Sequence, residues 1–337
     1  MSDITQDLKK LINHCNLNES ESYALFQNFQ EAPPAQQAAV LALLTSKGVT
    51  VPELNGALRY FLAQATTIEY SHPVIDIVGT GGDGLGTFNI STAASMVVAS
   101  SGIKVAKHGG RASTSRSGSV DVIEHLGIPL YDDPKIITAN LDKYHYAYLC
   151  GPLFNPLLKS LGPLRRSLGF QTLLNILSPM ANPMRPSKLV IGVYQKDLVR
   201  KLAEVLLASN KEHAMIICSE EGLDELSVSA ATHVAEVTAN GITEYIVTPE
   251  EAGLPRSPLS EVIGGTPAEN AQIIRGIFKG DIKGAKLDIV LLNAASGFVV
   301  AGEASDLAQG VILARDQIAS GKALALLNNL NKGVHNE

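Results

Sequence analysis

The chain has 337 residues, 45% of them hydrophobic and 18% charged, a balance that fits a folded globular protein and excludes a disordered or fibrous one. The length allows two or three domains at roughly 100 to 200 residues each, and one large domain with a smaller appendage fits equally well. Lys and Arg number 27 against 33 Asp and Glu, a net charge of −6, so no excess of positive charge is available to neutralise phosphate backbones, and nucleic acid is disfavoured as a partner.

Three cysteines, Cys15, Cys150 and Cys218, stand far apart with no Cys-x-x-Cys pair. This pattern predicts reduced, buried thiols in a cytoplasmic protein. The opening MSDITQDLKK carries acids and no apolar h-region, unlike a signal or transit peptide, and no apolar run reaches the ~18 residues that would span a bilayer.

Over the first 70 residues apolar side chains recur at helical spacing: Ile4, Leu8, Leu11, Ile12 and Cys15, then Tyr23 and Phe26, then Val40, Leu43 and Leu44 beyond Pro33-Pro34, and Leu54, Leu58, Phe61 and Leu62 after Val51-Pro52. Gly48 is placed to stop the third helix. The segment reads as a helical bundle too small to bury much by itself, needing the rest of the chain or a second copy. From Val74 the pattern changes to short β-rich runs, VIDIV at 74–78, IKVAK from Ile103, KLVIGV from Lys188, AMIIC from Ala214 and DIVLL from Asp288, alternating with helical stretches. That alternation predicts an α/β domain, and the continuously apolar runs predict a mostly parallel sheet covered on both faces. THVAEVTANGITEYIVTP alternates with period two around Asn240-Gly241, which predicts a type I′ hairpin. Thr266-Pro267-Ala268-Glu269 predicts a helix from Pro267 to about Phe278.

After VIDIV comes GTGGDGLGTFNIST, residues 79–92, then the helix-like ASMVVAS. A strand, a glycine turn and a helix can hold phosphate on main-chain N–H groups. Gly79, Gly81 and Gly84 satisfy G-x-G-x-x-G, but the strand IKVAK ends in Lys107-His108-Gly109-Gly110-Arg111 and not in the acid that a dinucleotide ribose requires. Asp83 would repel a pyrophosphate lying on it unless it takes ribose hydroxyls or a metal-bound water. Thr87, Asn89, Ser91 and Thr92, expected between the glycines and the helix, offer neutral donors to phosphate, and Ser91 could touch a divalent cation. A second segment, KHGGRASTSRSGSVD at 107–121, sets Lys107, Arg111 and Arg116 among small hydroxyl residues, and two such loops at adjacent strand ends would face one crevice. Asp224 and Glu225 follow AMIIC at the same end of the sheet, where a carboxylate pair can share Mg²⁺ with substrate phosphates.

These residues together resemble the anthranilate phosphoribosyltransferase family of tryptophan biosynthesis. The resemblance runs along nearly the whole chain, at GTGGD from Gly79, FNIST from Phe88, KHG from Lys107, SGS at 117–119, GLDEL from Gly222, LLNAA from Leu291 and SGKALALL near the end. It implies a small N-terminal helical domain, residues 1 to about 70, joined by helices from about 156–177, and a large α/β domain from 71 to 337 of the nucleoside phosphorylase and phosphoribosyltransferase type. It also implies a Mg²⁺-dependent transfer of the phosphoribosyl group of phosphoribosyl pyrophosphate to the amine of anthranilate, and a homodimer formed through the helical domain.

Carried over residue by residue, the resemblance puts Gly79, Gly82, Asp83 and Thr87 at the sugar and phosphates. Asn89, Ser91, Thr92, Lys107, Ser115 and Ser119 would surround the pyrophosphate. Ser91, Asp224 and Glu225 would serve the metal. Gly79, His108, Gly110 and Arg165 would form the acceptor side, Arg165 meeting the anthranilate carboxylate, with direct contact and loop scaffolding both open for His108. Departures gather on that side: Gly110 stands where the family usually has Asn, Asn155 where it has His, Gln171 where it has Arg, and LSPM at 177–180 where it has LGPL. Either anthranilate is still the acceptor despite these changes, or a different acceptor is used. Rival readings are an NAD-dependent oxidoreductase, which lacks its ribose acid, and a non-catalytic nucleic-acid-binding relative, which would need a basic surface.

Overall fold

A computed structural model of the chain describes residues 4–111 and 117–333. The predicted opening helices form where their caps put them: α1 (Thr5–Ile12), α2 (Glu19–Phe29), α3 (Pro34–Lys47) and α4 (Val51–Gln64). Asn18 and Glu21 cap α2 reciprocally, each side chain accepting the other's main-chain N–H at 2.9 Å, and α3 begins on Pro34 and ends at Gly48, whose φ of 80° suits glycine. Helices α2 and α4 pack through Phe26, Phe29 and Phe61. The buried Glu53 is satisfied by the N–H groups of Leu17 and Thr50, each at 2.9 Å, and by the Lys47 ammonium at 2.7 Å.

Next come β1 (Ile75–Gly79), α5 (Ile90–Ala99), β2 (Val105–Gly109), α6 (Ser119–His125), α7 (Pro134–Tyr144) and β3 (Tyr146–Cys150). Four short helices follow, α8 (Gly151–Phe154), α9 (Pro156–Ser160), α10 (Gly162–Leu168) and α11 (Leu173–Leu177). The chain continues through β4 (Lys188–Gly192), α12 (Lys196–Ala208), β5 (His213–Ser219), β6 (Thr232–Thr238) and β7 (Gly241–Val247), and closes with α13 (Pro267–Lys279), α14 (Ala285–Ala301), α15 (Leu307–Ala319) and α16 (Lys322–Leu330). Two units result, one made of the chain up to Thr67 with Gly151–Arg185, the other of Ile68–Cys150 with the chain from Pro186 onward.

The second unit is built on one seven-stranded sheet of order β3-β2-β1-β4-β5-β6-β7. Strands β1 to β5 pair in parallel, and β6 and β7 add antiparallel at one edge. From β1 the chain runs outward to β2 and β3, whereas from β4 it runs the other way to β5. The order therefore reverses between β1 and β4, and ligands of open α/β sheets bind in the crevice beyond the strand ends at such a reversal.

Three expectations are corrected, and one strand is added to them. DIVLL is not a strand but part of the first half of α14, where every residue from Asp288 to Val300 is buried, so a helix apolar on all sides shows no helical period. β3, the run YAYLC, is a strand with no counterpart among those expected. The hairpin turn is Ala239-Asn240, because Thr238 pairs with Gly241 and only Gly241 has positive φ; a type I′ turn would need positive φ at both central residues. Cys15 is exposed, while Cys150 and Cys218 are buried. The helix at Pro267 forms with its predicted capping box, Thr266 Oγ1 accepting from Glu269 N. No helix among the described residues is long and apolar enough to cross a membrane.

Candidate active site

The reversal point is marked by two glycines. Gly79 and Gly192 sit opposite each other at the ends of β1 and β4, and the loop carrying Asp224 folds directly over both. A Cβ on Gly79 would overlap the Asp224 carboxylate, and one on Gly192 would overlap its main-chain carbonyl, so side chains here would push the loop off the sheet. Gly192 gives no signal in the sequence, because nothing distinguishes KLVIGV from an ordinary buried strand.

The glycine loop leaves β1 with Thr80 N–H on Gly192 O at 2.9 Å. Gly81, Gly82, Gly84 and Gly86 all have positive φ, between 65° and 85°, which explains the glycine density. Gly81 N–H donates to Asp224 Oδ2 at 2.7 Å and Asp83 Oδ1 accepts Leu85 N–H at 3.1 Å. The loop is pinned beyond by Gly264 N–H on Gly86 O at 2.9 Å and by a bridge between Thr87 and Ile263.

Helix α5 starts at Ile90, so Ser91 and Thr92 belong to its first turn and not to the loop before it. Their main-chain donors thus join the positive end of the helix dipole. Glu225 Oε1 accepts Ser91 N–H at 3.0 Å. Thr92 is fully buried, and its hydroxyl, like the buried hydroxyl of Thr80, meets no partner among the described residues. Asn89 accepts from Ser117 Oγ at 3.1 Å and from Asn270 Nδ2 at 3.0 Å, and Asn270 takes Gly265 N–H at 2.7 Å. Thr80 and Asn270 are further residues of this site, absent from the sequence-based set; only the density of Thr and Asn around the loops points to them.

Lys107 and His108 lie within β2, not in an exposed loop. Lys107 is wholly buried, its ammonium donating to Ile77 O at 2.7 Å and Ser91 Oγ at 3.3 Å. Burial pulls its pKa down, opposed by the charges of Asp76, Glu225 and Asp224. His108 is buried with its N–H on Asp76 Oδ1 at 3.2 Å. Ser119 opens α6, 2.7 Å from the Tyr148 hydroxyl, and a Cβ on Gly109 would collide with both oxygens. Arg111, expected among the phosphate-binding cations, is instead drawn into ion pairs with Asp121 at 2.8 Å and Glu124 at 2.6 Å. Ser115 and Arg116 lie outside the described residues.

Asp224 and Glu225 are not a solvated surface pair: both are buried. Burial, with the neighbouring Asp83 second, pushes Asp224 up to about 7, and burial, with Asp224 second, pushes Glu225 up to about 8. Burial also raises Asp83. Desolvated acids this close hold protons unless a cation joins them. Among the described residues no group of three or more His, Cys, Asp or Glu side chains gathers as a metal cage; Mg²⁺ is commonly held by one or two carboxylates with substrate phosphates completing its shell.

In the helical unit, Arg165 lies in α10 with its Nε buried and without a hydrogen-bond partner among the described residues, and burial lowers its pKa. Asn155 caps α9: its Oδ1 accepts Leu157 N–H at 3.0 Å and Leu158 N–H at 3.3 Å, while its Nδ2 donates to Phe61 O at 3.0 Å. Both ends of its amide are thus engaged by the scaffold. Gly110 has no positive φ, and a Cβ there would meet nothing within 4 Å.

A helical unit together with a parallel-sheet unit that carries phosphate-type loops at its reversal point is the architecture of one class of glycosyl transferase. The chain matches the glycosyl transferase family, helical bundle domain, over residues 6–65 and the glycosyl transferase family, a/b domain, over residues 71–324. It is 40% identical over 329 residues to the anthranilate phosphoribosyltransferase of Geobacillus kaustophilus, covering 96% of this chain and 97% of the relative. It is 41% identical over 345 residues to that of Geobacter sulfurreducens, covering 97% and 98%. Its fold matches the crystal structure of anthranilate phosphoribosyltransferase from Thermus thermophilus with a TM-score of 0.89, at 36% identity over 96% of this chain and 98% of that one. The Saccharomyces cerevisiae enzyme in complex with PRPP and Mg matches with a TM-score of 0.89 at 26% identity, covering 98% and 97%. The chain belongs to the anthranilate phosphoribosyltransferase family.

Proposed function

We propose that this chain transfers the 5-phosphoribosyl group of phosphoribosyl pyrophosphate to the amine of anthranilate, releasing pyrophosphate, as a step of tryptophan biosynthesis. The observation that carries the reading is the placement of Asp224 and Glu225, buried at the β1/β4 reversal and hydrogen-bonded to the glycine loop at Gly81 and to the first turn of α5 at Ser91.

In the reaction the bond from ribose C1 to the pyrophosphate oxygen breaks and a bond from C1 to the anthranilate nitrogen forms, after which the nitrogen sheds a proton. Negative charge grows on the departing pyrophosphate, so the work of the site is to position both reactants and stabilise that charge. The glycine loop, the first turn of α5 and the unpartnered hydroxyls of Thr80 and Thr92 supply neutral donors for the phosphate oxygens. On this reading Gly79, Gly82, Asp83 and Thr87 accommodate the sugar and phosphates, while Asn89, Ser91, Thr92 and Ser119 surround the pyrophosphate. Lys107 acts from beneath, holding the Ser91 hydroxyl. Asp224 and Glu225, with Ser91, fit Mg²⁺ as hard oxygen donors whose burial is costly without a cation. When bound, the ion neutralises charge on the leaving pyrophosphate.

Arg165 takes the anthranilate carboxylate; its buried, unpartnered Nε supports this, since a guanidinium suits a flat anion. His108 and Gly110 would line the acceptor side. An aromatic amine is nucleophilic without prior deprotonation, so no strong general base is required. We further infer a cytoplasmic homodimer paired through the helical unit, a reading supported by Ile12 of α1, which is 60% exposed. The function is tested by complementation: the gene should restore growth without tryptophan to a bacterium lacking its own anthranilate phosphoribosyltransferase, and a well-expressed protein that fails to do so would count against anthranilate as the acceptor.

A further inference from the structure

The loop that presents Asp224 and Glu225 is held mostly by its own residues. Ser219 Oγ accepts Leu223 N–H at 3.0 Å, the Glu221 carboxylate takes the hydroxyls of Ser227 and Ser229 at 2.5 Å each, and Thr232 Oγ1 takes Ser227 N–H at 3.1 Å. Beside the Gly81 and Ser91 N–H groups on the two carboxylates, a further anchor from a distant part of the chain holds the loop's backbone. Asn293, in the middle of α14 and 1% exposed, accepts Leu226 N–H on Oδ1 at 2.9 Å and donates from Nδ2 to Leu226 O, also at 2.9 Å. Its Nδ2 also donates to Ile289 O one turn back at 2.9 Å.

Leu226 directly follows Glu225, so this paired contact fixes the backbone immediately after the two carboxylate residues. The amide suits this contact because it carries an acceptor and a donor on separate atoms, Oδ1 for the N–H and Nδ2 for the C=O of one residue; an ionised carboxylate could only accept, and an apolar side chain would leave two buried main-chain groups unsatisfied. Helix α14 packs against α5, β1, β4 and β5, the same elements that carry the first turn at Ser91 and the strand ends at the reversal. Asn293 therefore ties the carboxylate loop to the frame that positions its partners.

We infer that Asn293 is a positioning residue for metal binding: it sets where Asp224 and Glu225 stand without touching the metal or either substrate. The inference rests on the reading of these two carboxylates as the metal-holding pair. Residues that orient ligating groups typically change metal affinity by about 10- to 100-fold when replaced.

The test compares Asn293→Asp, Asn293→Ser and Asn293→Ala with wild type and with Leu330→Ala, a buried core change in α16. Mn²⁺ binding in the presence of phosphoribosyl pyrophosphate is read from water proton relaxation, beside Tm and steady-state kinetics. Mn²⁺ binding should weaken about 10- to 100-fold in the folded Asn293 variants, and the Mg²⁺ concentration for half-activation should rise in step. The KM for anthranilate should stay within about threefold, as expected of a change confined to the donor side. Leu330→Ala should lower Tm and leave Mn²⁺ binding unchanged. Asn293 variants that lose Tm as Leu330→Ala does, yet bind Mn²⁺ like wild type, would overturn the inference. Wild-type protein that binds no Mn²⁺ with phosphoribosyl pyrophosphate would instead overturn the metal reading itself, and the inference with it.

Discussion

At the scale of single residues, the site stores unfavourable electrostatics that a substrate-bound cation would relieve. Asp224 and Glu225, pushed up to about 7 and about 8, hold protons in the folded chain that the unfolded chain releases in the ordinary carboxylate range. Their contribution to stability is therefore lost as pH rises through those values. Thermal unfolding in Mg²⁺-free buffer should show Tm falling from pH 6 to 8.5 in wild type and falling less in Asp224→Asn/Glu225→Gln, which should also lose Mg²⁺-dependent turnover. Equal slopes would mean that the two carboxylates are already ionised. Arg165→Ala should raise the KM for anthranilate by about tenfold or more and that for phosphoribosyl pyrophosphate by little, because only the acceptor carries a carboxylate for it to meet; equal effects on both would place Arg165 elsewhere. Gly110→Asn, at an open position without positive φ, should fold normally and leave kcat/KM for anthranilate unchanged or improved. A large loss would show a pocket rebuilt for another acceptor.

At the scale of elements, the meeting of β1, β4 and the 222–226 loop is the tightest constraint. Gly192→Ala places a methyl group where the Asp224 carbonyl lies, and we expect a loss of roughly 1–3 kcal/mol by overpacking together with loss of turnover. Denaturant unfolding beside an activity assay would check both; a stable, active Gly192→Ala protein would contradict the close approach. This constraint also separates what is legible in the sequence from what is not. The glycine loop, the capped helix at Pro267 and the strands from Ile75, Lys188 and His213 announce themselves by local chemistry. Gly192 and Asn293 do not, because their roles depend on what the distant 222–226 loop places against them. The first half of α14 reads as a strand because burial on all sides erases helical period, and β3 escapes notice because YAYLC follows His145, which leaves α7 at a φ of 57° with no turn signal between them.

At the scale of the whole molecule, a chain with net charge −6 is assigned a polyanionic donor and an anionic acceptor. Long-range attraction therefore does not assemble the site. On the proposed reading, affinity comes from local neutral donors, from Lys107, from Arg165 and from a divalent cation held by the carboxylate pair. Activity should consequently depend sharply on Mg²⁺ and be abolished by EDTA. The most direct measurement is a steady-state assay on purified protein with phosphoribosyl pyrophosphate, Mg²⁺ and anthranilate, following anthranilate fluorescence and pyrophosphate release together. Equal rates on the two signals, both lost with EDTA and restored by Mg²⁺, are the predicted result. Pyrophosphate release without consumption of anthranilate, or no Mg²⁺-dependent change in either signal, would contradict the assignment of anthranilate as the acceptor.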